Sequence, residues 1–272
     1  MTRREPSATV ATRARRVVTK PLRTVLGRFN LDVIRIGAAG VSLPADCDEL
    51  TASVIEQVRP YTLTSVERIM GLVEAVRYLV RAEVPGDFVE CGVWRGGSMM
   101  AVALTLVDLG VTDRDLHLFD TFTRTPDPGE EDVDISGVRA ADIIDELRTA
   151  EAFRYLPMVE VEQLLVDTGY PAKRLHFVPG LMEETIPGAA PAAIALCRLD
   201  TDWYASTAYE LEHLWPRIAP RGVLLIDDYG EFLGARKAVD EYFAARNERV
   251  LLHRMDCTGR LVLKPEPIVE GR

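Results

Sequence analysis

From Thr64 onward, apolar residues recur at three- and four-residue spacing: Val66, Ile69, Met70, Val73, Val76 and Val80. That period predicts an amphipathic helix of about five turns, capped by Thr64 or Ser65 and ended by Pro85-Gly86. The pattern then changes to strand, turn, helix. Residues 87–92 read as a strand, 93–97 as a glycine-containing turn and 98–109 as an apolar helix. A second strand, 116–120, ends in Asp120. Helical patterns follow at 139–151 and 158–168, then a third strand at 175–178 before Pro179-Gly180. The apolar run ending at Leu199 supplies a fourth strand. Residues 204–218 read as a helix with Leu211, Leu214 and Ile218 on one face. A fifth strand at 222–228 and a helix at 234–246 come next. Strand-like segments at 249–254 and 260–264 flank Asp256-Cys257-Thr258-Gly259, which reads as a hairpin turn. This alternation predicts an α/β fold: a doubly wound, mostly parallel seven-stranded sheet, covered on both faces, with an antiparallel closing strand.

Two stretches fall outside the pattern. Residues 1–48 are poorly periodic and read as a basic N-terminal extension, partly disordered, with one helix. Residues 121–138 hold Pro126, Asp127, Pro128, Gly129, Glu130, Glu131 and Asp132. A loop of this length in a compact domain is expected to be a lid or disordered. Residues 49–272 then form a single domain.

Composition narrows the function. The 272 residues are 47% hydrophobic, enough for one large core. No apolar run approaches ~18 residues and no apolar h-region follows the N-terminal charges, so neither a membrane span nor a signal peptide is expected. The net charge of −10 argues against non-specific nucleic-acid binding. Charge is uneven, because residues 1–37 hold nine Lys/Arg against two acids. That arm reads either as a docking segment for an anionic partner or as a solvated tail. The four cysteines (Cys47, Cys91, Cys197, Cys257) form no CxxC or Cys/His cluster, which fits reduced thiols in a cytoplasmic protein.

The candidate chemistry sits where strands end. Glu90, Asp120, the Asp200/Asp202 pair and the Asp227-Asp228 pair all fall at predicted carboxyl ends, where open α/β sheets bind ligands. Buried acids are costly unless paired, hydrogen-bonded or bound to a cation, so four of them on neighbouring strands suggest a divalent metal. The loop Glu90-Cys-Gly92-Val-Trp-Arg-Gly96-Gly97-Ser98 places glycines where backbone approaches a ligand closely. It is not GxGxxG, since Trp94 replaces a glycine, and this speaks against a dinucleotide pyrophosphate. Asp120, 28 residues after Gly92, can accept both hydroxyls of a ribose. An alternative role for Asp202 is the N-cap of the helix that begins near Tyr204.

These residues resemble a family. The loop at 90–98, Leu118-Phe-Asp120-Thr-Phe122, Leu199-Asp-Thr-Asp-Trp-Tyr-Ala-Ser-Thr207 and Gly222-Val-Leu-Leu-Ile-Asp-Asp-Tyr229 look like the macrocin O-methyltransferases, which methylate sugar hydroxyls of macrolide and aminocoumarin natural products. The resemblance covers about residues 60–264. It implies a class I (Rossmann-like) methyltransferase fold, S-adenosylmethionine and Mg2+ as cofactors, and a homo-oligomer. It further implies cofactor contacts from Glu90, Gly92, Ser98, Asp120 and Asp200, metal ligation by Asp200, Asp227 and Asp228, and Asp202 as general base. The acceptor is expected to be a glycosylated small molecule. One departure, Thr-Phe-Thr-Arg-Thr-Pro after Asp120 in place of an acid-Gly-Leu-Pro sequence, lies beside the expected lid and bears on acceptor identity. Rival readings are a catechol-type phenolic O-methyltransferase and a non-catalytic binding module on the same fold.

Overall fold

The structure, a computed structural model, describes residues 43–267. The basic arm up to residue 42 lies outside the described residues. Five parallel strands, β1 (Asp87–Cys91), β2 (Leu116–Asp120), β3 (Leu175–Pro179), β4 (Ile194–Leu199) and β5 (Ile218–Ile226), are followed by β6 (His253–Arg254) and β7 (Arg260–Leu263). The sheet order is β3-β2-β1-β4-β5-β7-β6. β7 pairs antiparallel with both β5 and β6, so it is the reversed strand that the sequence pattern calls for. The order reverses between β1 and β4, which opens a crevice at their carboxyl ends.

The described residues form eight α-helices, two before β1 and the rest between strands: α1 (Glu49–Val58), α2 (Val66–Arg81), α3 (Gly97–Asp108), α4 (Ile144–Thr149), α5 (Met158–Asp167), α6 (Met182–Ala189), α7 (Tyr204–Leu214) and α8 (Leu233–Ala245). Ser65 caps α2 by accepting a hydrogen bond from the Arg68 amide at 3.1 Å. None of the described helices is long and apolar enough to cross a membrane. Alternate strand residues feed opposite cores, as a two-fold side-chain period requires. Phe88, Leu118, Leu196 and Val223 pack under α1, α2, α3 and α5. Val89, Phe119, Cys197 and Leu224 pack under α6, α7 and α8.

Five elements differ from the sequence pattern. The helix expected over 139–151 shortens to α4, with a 3₁₀ turn on either side, and the strand expected over 249–254 shortens to β6. The helix expected over 204–218 stops at Leu214, because Pro216 cannot continue an α-helical ladder, and a 3₁₀ turn follows. Ile218 therefore opens β5, paired with Ile194, instead of extending the helical face. α1 and α6 have no counterpart in the predicted set. Each is short, with only Val54, Ile55 and Val58, or Met182 and Ile186, as buried apolar residues, too few repeats to establish a period.

Segment 121–138 is pinned at its second half. Val133 bridges Arg139, and Asp134 bridges Phe232 at the start of α8. Asp132 and Asp134 are both buried. Just beyond the segment, a third, small core of Ala140, Ile144, Trp203, Phe232 and Ala235 packs α4 against the starts of α7 and α8.

Candidate active site

A cavity opens at the carboxyl ends of β1, β2, β4 and β5. Gly92, Ser98, Asp120, Asp200, Asp202, Asp227 and Asp228 all line it. Glu90 does not line it. Glu90 lies one residue short of the strand end, is 1% exposed, and faces Arg198 across the β1–β4 pair.

Gly92 explains how the first loop comes so close to the fourth strand. Its φ is +84°, and a Cβ there would meet the Asp200 carbonyl oxygen at 1.9 Å. The Asp200 amide donates to the Cys91 carbonyl at 2.8 Å, and Gly92 donates to Phe119 at 2.9 Å. Three strand ends are thereby stitched together at one point. Asp120 completes the stitch. Its Oδ2 accepts from the Val93 and Trp94 amides at 2.6 and 2.8 Å, and its Oδ1 accepts from Phe122 at 2.8 Å. In this arrangement the carboxylate holds the left-handed turn at Trp94 (φ +50°) in place.

The acid centre is organised by an arginine that sequence reasoning passed over. Arg198, 5% exposed, donates from one guanidinium nitrogen to Glu90 at 2.8 Å and Asp200 at 2.7 Å. From the other it donates to Thr64 at 3.0 Å and Asp227 at 2.7 Å. Arg68 of α2 also pairs with Asp227, and with Asp256 of the β6–β7 turn at 2.9 Å. The only signal for Arg198 in the sequence is its position: two residues after Leu196, on the same inward face of the strand.

Asp202 stands apart. Its backbone is left-handed (φ +66°) and its amide donates to Asp228 Oδ2 at 3.2 Å. Its carboxylate accepts no hydrogen bond from any described residue. It does not cap α7, because the Tyr204 amide donates instead to Asp132 Oδ1 at 2.7 Å. Burial, then repulsion from Asp200 and Asp227, pushes the Asp202 carboxyl well above the usual carboxylate range. Burial, then Asp202 and Asp200, does the same to Asp228. Burial raises Asp200 to about 6, against the opposing pull of Arg198.

One carboxylate oxygen each from Asp200, Asp227 and Asp228 lies within 4.8 Å of the others. An oxygen-only donor set at that span suits a hard divalent cation. The charge balance agrees. Arg198 pairs with Glu90, Asp200 and Asp227, and Arg68 with Asp227 and Asp256, so Asp202 and Asp228 have no guanidinium partner among the described residues; burial first, and the neighbouring carboxylates second, raise both.

The opposite wall comes from a stretch the sequence left without a role. Ile144, Leu147, Phe153 and Tyr155 line the cavity, together with Thr123 and Thr125. Trp94 Nε1 donates to the Phe153 carbonyl at 3.2 Å, and Arg95 stacks on Trp94 at 4.3 Å while donating to Arg154 and Glu151 carbonyls. Tyr155 Oη lies 3.3 Å from Thr125 Oγ1, and burial pushes its phenol above the ordinary range. The cluster Phe153-Arg-Tyr155 between two helical patterns was the available hint.

Sheet order and site together define a class I O-methyltransferase. The O-methyltransferase NovP has the same fold, with a TM-score of 0.67 and 28% identity over 76% of this chain and 83% of that one. The calicheamicin methyltransferase CalS11 shares the fold at a TM-score of 0.55 and 18% identity, covering 82% of this chain and 94% of that chain. The chain belongs to the macrocin O-methyltransferase (TylF) family, whose model matches residues 54–263. Among curated relatives, the 8-demethyl-8-(2,3-dimethoxy-alpha-L-rhamnosyl)-tetracenomycin-C 4'-O-methyltransferase of Streptomyces olivaceus is 34% identical, covering 73% of this chain and 74% of that protein. The mycinamicin III 3''-O-methyltransferase of Micromonospora griseorubida is 31% identical over 67% and 70%. Family membership makes the protein an enzyme and removes the non-catalytic binding module.

Proposed function

We propose that this enzyme methylates a sugar hydroxyl of a glycosylated secondary metabolite, with S-adenosylmethionine as donor, magnesium as cofactor and Asp202 as general base. The observation that carries the reading is the half-buried Asp202 carboxylate, unpaired among the described residues, on the cavity wall with Asp200, Asp227 and Asp228. An ordinary aspartate, near ~3.9, is a poor base for an alcohol. Burial among like charges raises its basicity and narrows the gap to the hydroxyl proton. The left-handed turn at Asp202 places this carboxylate in the cavity and leaves the helix start to another residue.

Magnesium, held by Asp200, Asp227 and Asp228, would lower the pKa of an acceptor hydroxyl beside it. S-adenosylmethionine supplies an electrophilic methyl whose sulfide leaves neutral. Gly92, Ser98 and Asp120 form the cofactor side of the cavity, with Asp200 at the junction; Asp120 contributes by fixing the 92–94 backbone, and any ribose contact would be shared with those amides. Glu90 acts behind that surface, through Arg198. Trp94, Phe153 and Tyr155 shield the reacting groups from water on the acceptor side. The activities of the relatives, 4'-O-methylation of a rhamnosyl-tetracenomycin and 3''-O-methylation of mycinamicin III, support the acceptor class. Segment 121–138 serves as the acceptor-side lid, and the enzyme works as a cytoplasmic homo-oligomer; its cysteines, all free, fit a reducing compartment.

The test is turnover of the wild type and Asp202→Asn with glycosylated and catechol acceptors. The expected result is glycoside methylation reduced by roughly 10²–10⁴-fold in the variant, the usual contribution of a general base. Near-normal turnover in the variant, or preference for the catechol, would overturn the reading.

A further inference from the structure

Helix α7 begins two residues after Asp202, yet its N-cap residue makes no side-chain capping bond. The N-cap position is Trp203, whose side chain bonds elsewhere. The carboxylate that satisfies the first helical amide comes from 72 residues earlier in the chain. Asp132 Oδ1 accepts from Tyr204 at 2.7 Å, while Asp132 Oδ2 accepts from Gly129 at 2.7 Å. An acid at a helix N-terminus is favoured by both the free amides and the helix dipole. The fit is close: Gly234 at the start of α8 sits so near that a Cβ there would meet Asp132 Oδ1 at 2.2 Å.

The surrounding bonds give this cap a further consequence. Trp203 Nε1 donates to the Pro126 carbonyl at 3.1 Å, so the acceptor-side segment grips the residue after Asp202 as well. The same segment also reaches α8, which follows Asp227 and Asp228: Leu233 donates to the Val133 carbonyl at 2.8 Å, and Ile135 donates to Glu231 at 3.0 Å. Residues 126–135 therefore brace the helices that follow both acid pairs. Asp202, in a backbone conformation that side chains rarely adopt, donates its own amide to Asp228, while the Tyr204 amide two residues further on is held by Asp132.

We infer that Asp132 is a positioning residue for Asp202: it caps α7 across the fold and so locks the acceptor-side segment to the general base. Asp132 does not line the cavity and touches no reacting group. Its bond to Tyr204 fixes the turn that carries Asp202, and its bond to Gly129 fixes the loop tip on the acceptor side. The inference rests on the base assignment proposed above.

The experiment measures kcat and acceptor KM for the full chain, normalised to sites counted by titration with S-adenosylhomocysteine. Asp132→Ala loses both bonds. Its kcat per site should fall about 10- to 100-fold, the scale of a misplacement near 1 Å, with acceptor KM raised and S-adenosylhomocysteine affinity within about twofold of wild type. Asp132→Asn keeps an oxygen for Tyr204 but turns a donor towards Gly129, so it should recover most of kcat while acceptor KM stays several-fold high. A purely structural role predicts fewer binding-competent sites with unchanged kcat per site, and that result overturns the inference. If Asp132→Ala does not fold, Asp132→Asn decides: unchanged kcat and KM together overturn it. Asp202→Asn is run alongside. If it loses turnover while the Asp132 variants keep theirs, this inference alone fails. If it keeps turnover, the base assignment fails and the positioning role falls with it.

Discussion

Arg198 and Glu90 lie in register on β4 and β1 and bond at 2.8 Å with almost no exposure to solvent. The same guanidinium reaches Asp200, Asp227 and Thr64. One side chain thus joins the strand that leads into the first glycine loop to both acid pairs. Removing one partner of such a buried network leaves charges without compensation, at a cost of about 3–5 kcal/mol. Arg198→Met should therefore lower unfolding stability by about that much and abolish turnover. Urea denaturation measures it, and a loss under about 1 kcal/mol would show the guanidinium is dispensable to the fold.

Glu90 is pushed up to about 8, chiefly by burial and against the pull of Arg198. Its folded pKa lies above the ordinary 4.5, so the folded protein holds this proton more tightly than the unfolded chain. The stabilisation from this group is complete below the ordinary value and is lost as pH rises through about 8. Glu90→Gln, which is permanently neutral, should flatten the decline of melting temperature across that window. Parallel wild-type and variant curves would count against the raised Glu90.

Gly92 allows no side chain. The Asp200 carbonyl oxygen would sit 1.9 Å from an added Cβ, and the left-handed φ adds strain for any L-residue. Gly92→Ala should separate the β1 and β4 loop ends, with S-adenosylhomocysteine affinity falling at least about tenfold, equivalent to about 1.4 kcal/mol. Calorimetric titration reads this directly; unchanged affinity would mean the two loops need not meet.

The acid triad predicts a dependence on divalent metal. Chelation should abolish methyl transfer and added magnesium restore it, while S-adenosylhomocysteine binding persists. Activity indifferent to chelator would remove Asp200, Asp227 and Asp228 from metal ligation.

Much of the site was visible in the chain because its signals are local. A strand declares itself by an apolar run, a helix by its period, and an acid at the junction falls at a strand carboxyl end once the α/β alternation is read. That reasoning alone placed Asp120, Asp200, Asp202, Asp227 and Asp228 at one end of a sheet; which of them share a cation or remove a proton rested on family resemblance. Period failed where the repeat was too short, at α1 and α6, and where Pro216 cut a helix that the spacing of Ile218 extended.

What the tertiary structure decided depends on which strands become neighbours. Arg198 is one inward strand position among many until β4 lies between β1 and β5, with Thr64 and Arg68 above it; only then does it become the shared partner of Glu90, Asp200 and Asp227. Asp132 reads as one more acid in a polar loop until the chain folds it onto the first amide of α7, 72 residues away. That placement also settled the alternative for Asp202, which is free to face the cavity because another acid caps its helix. Periodicity records the contacts a residue makes within its own element. Ion pairs and caps between distant segments leave no such trace, because their energy comes from desolvation and geometry that exist only once the fold has formed.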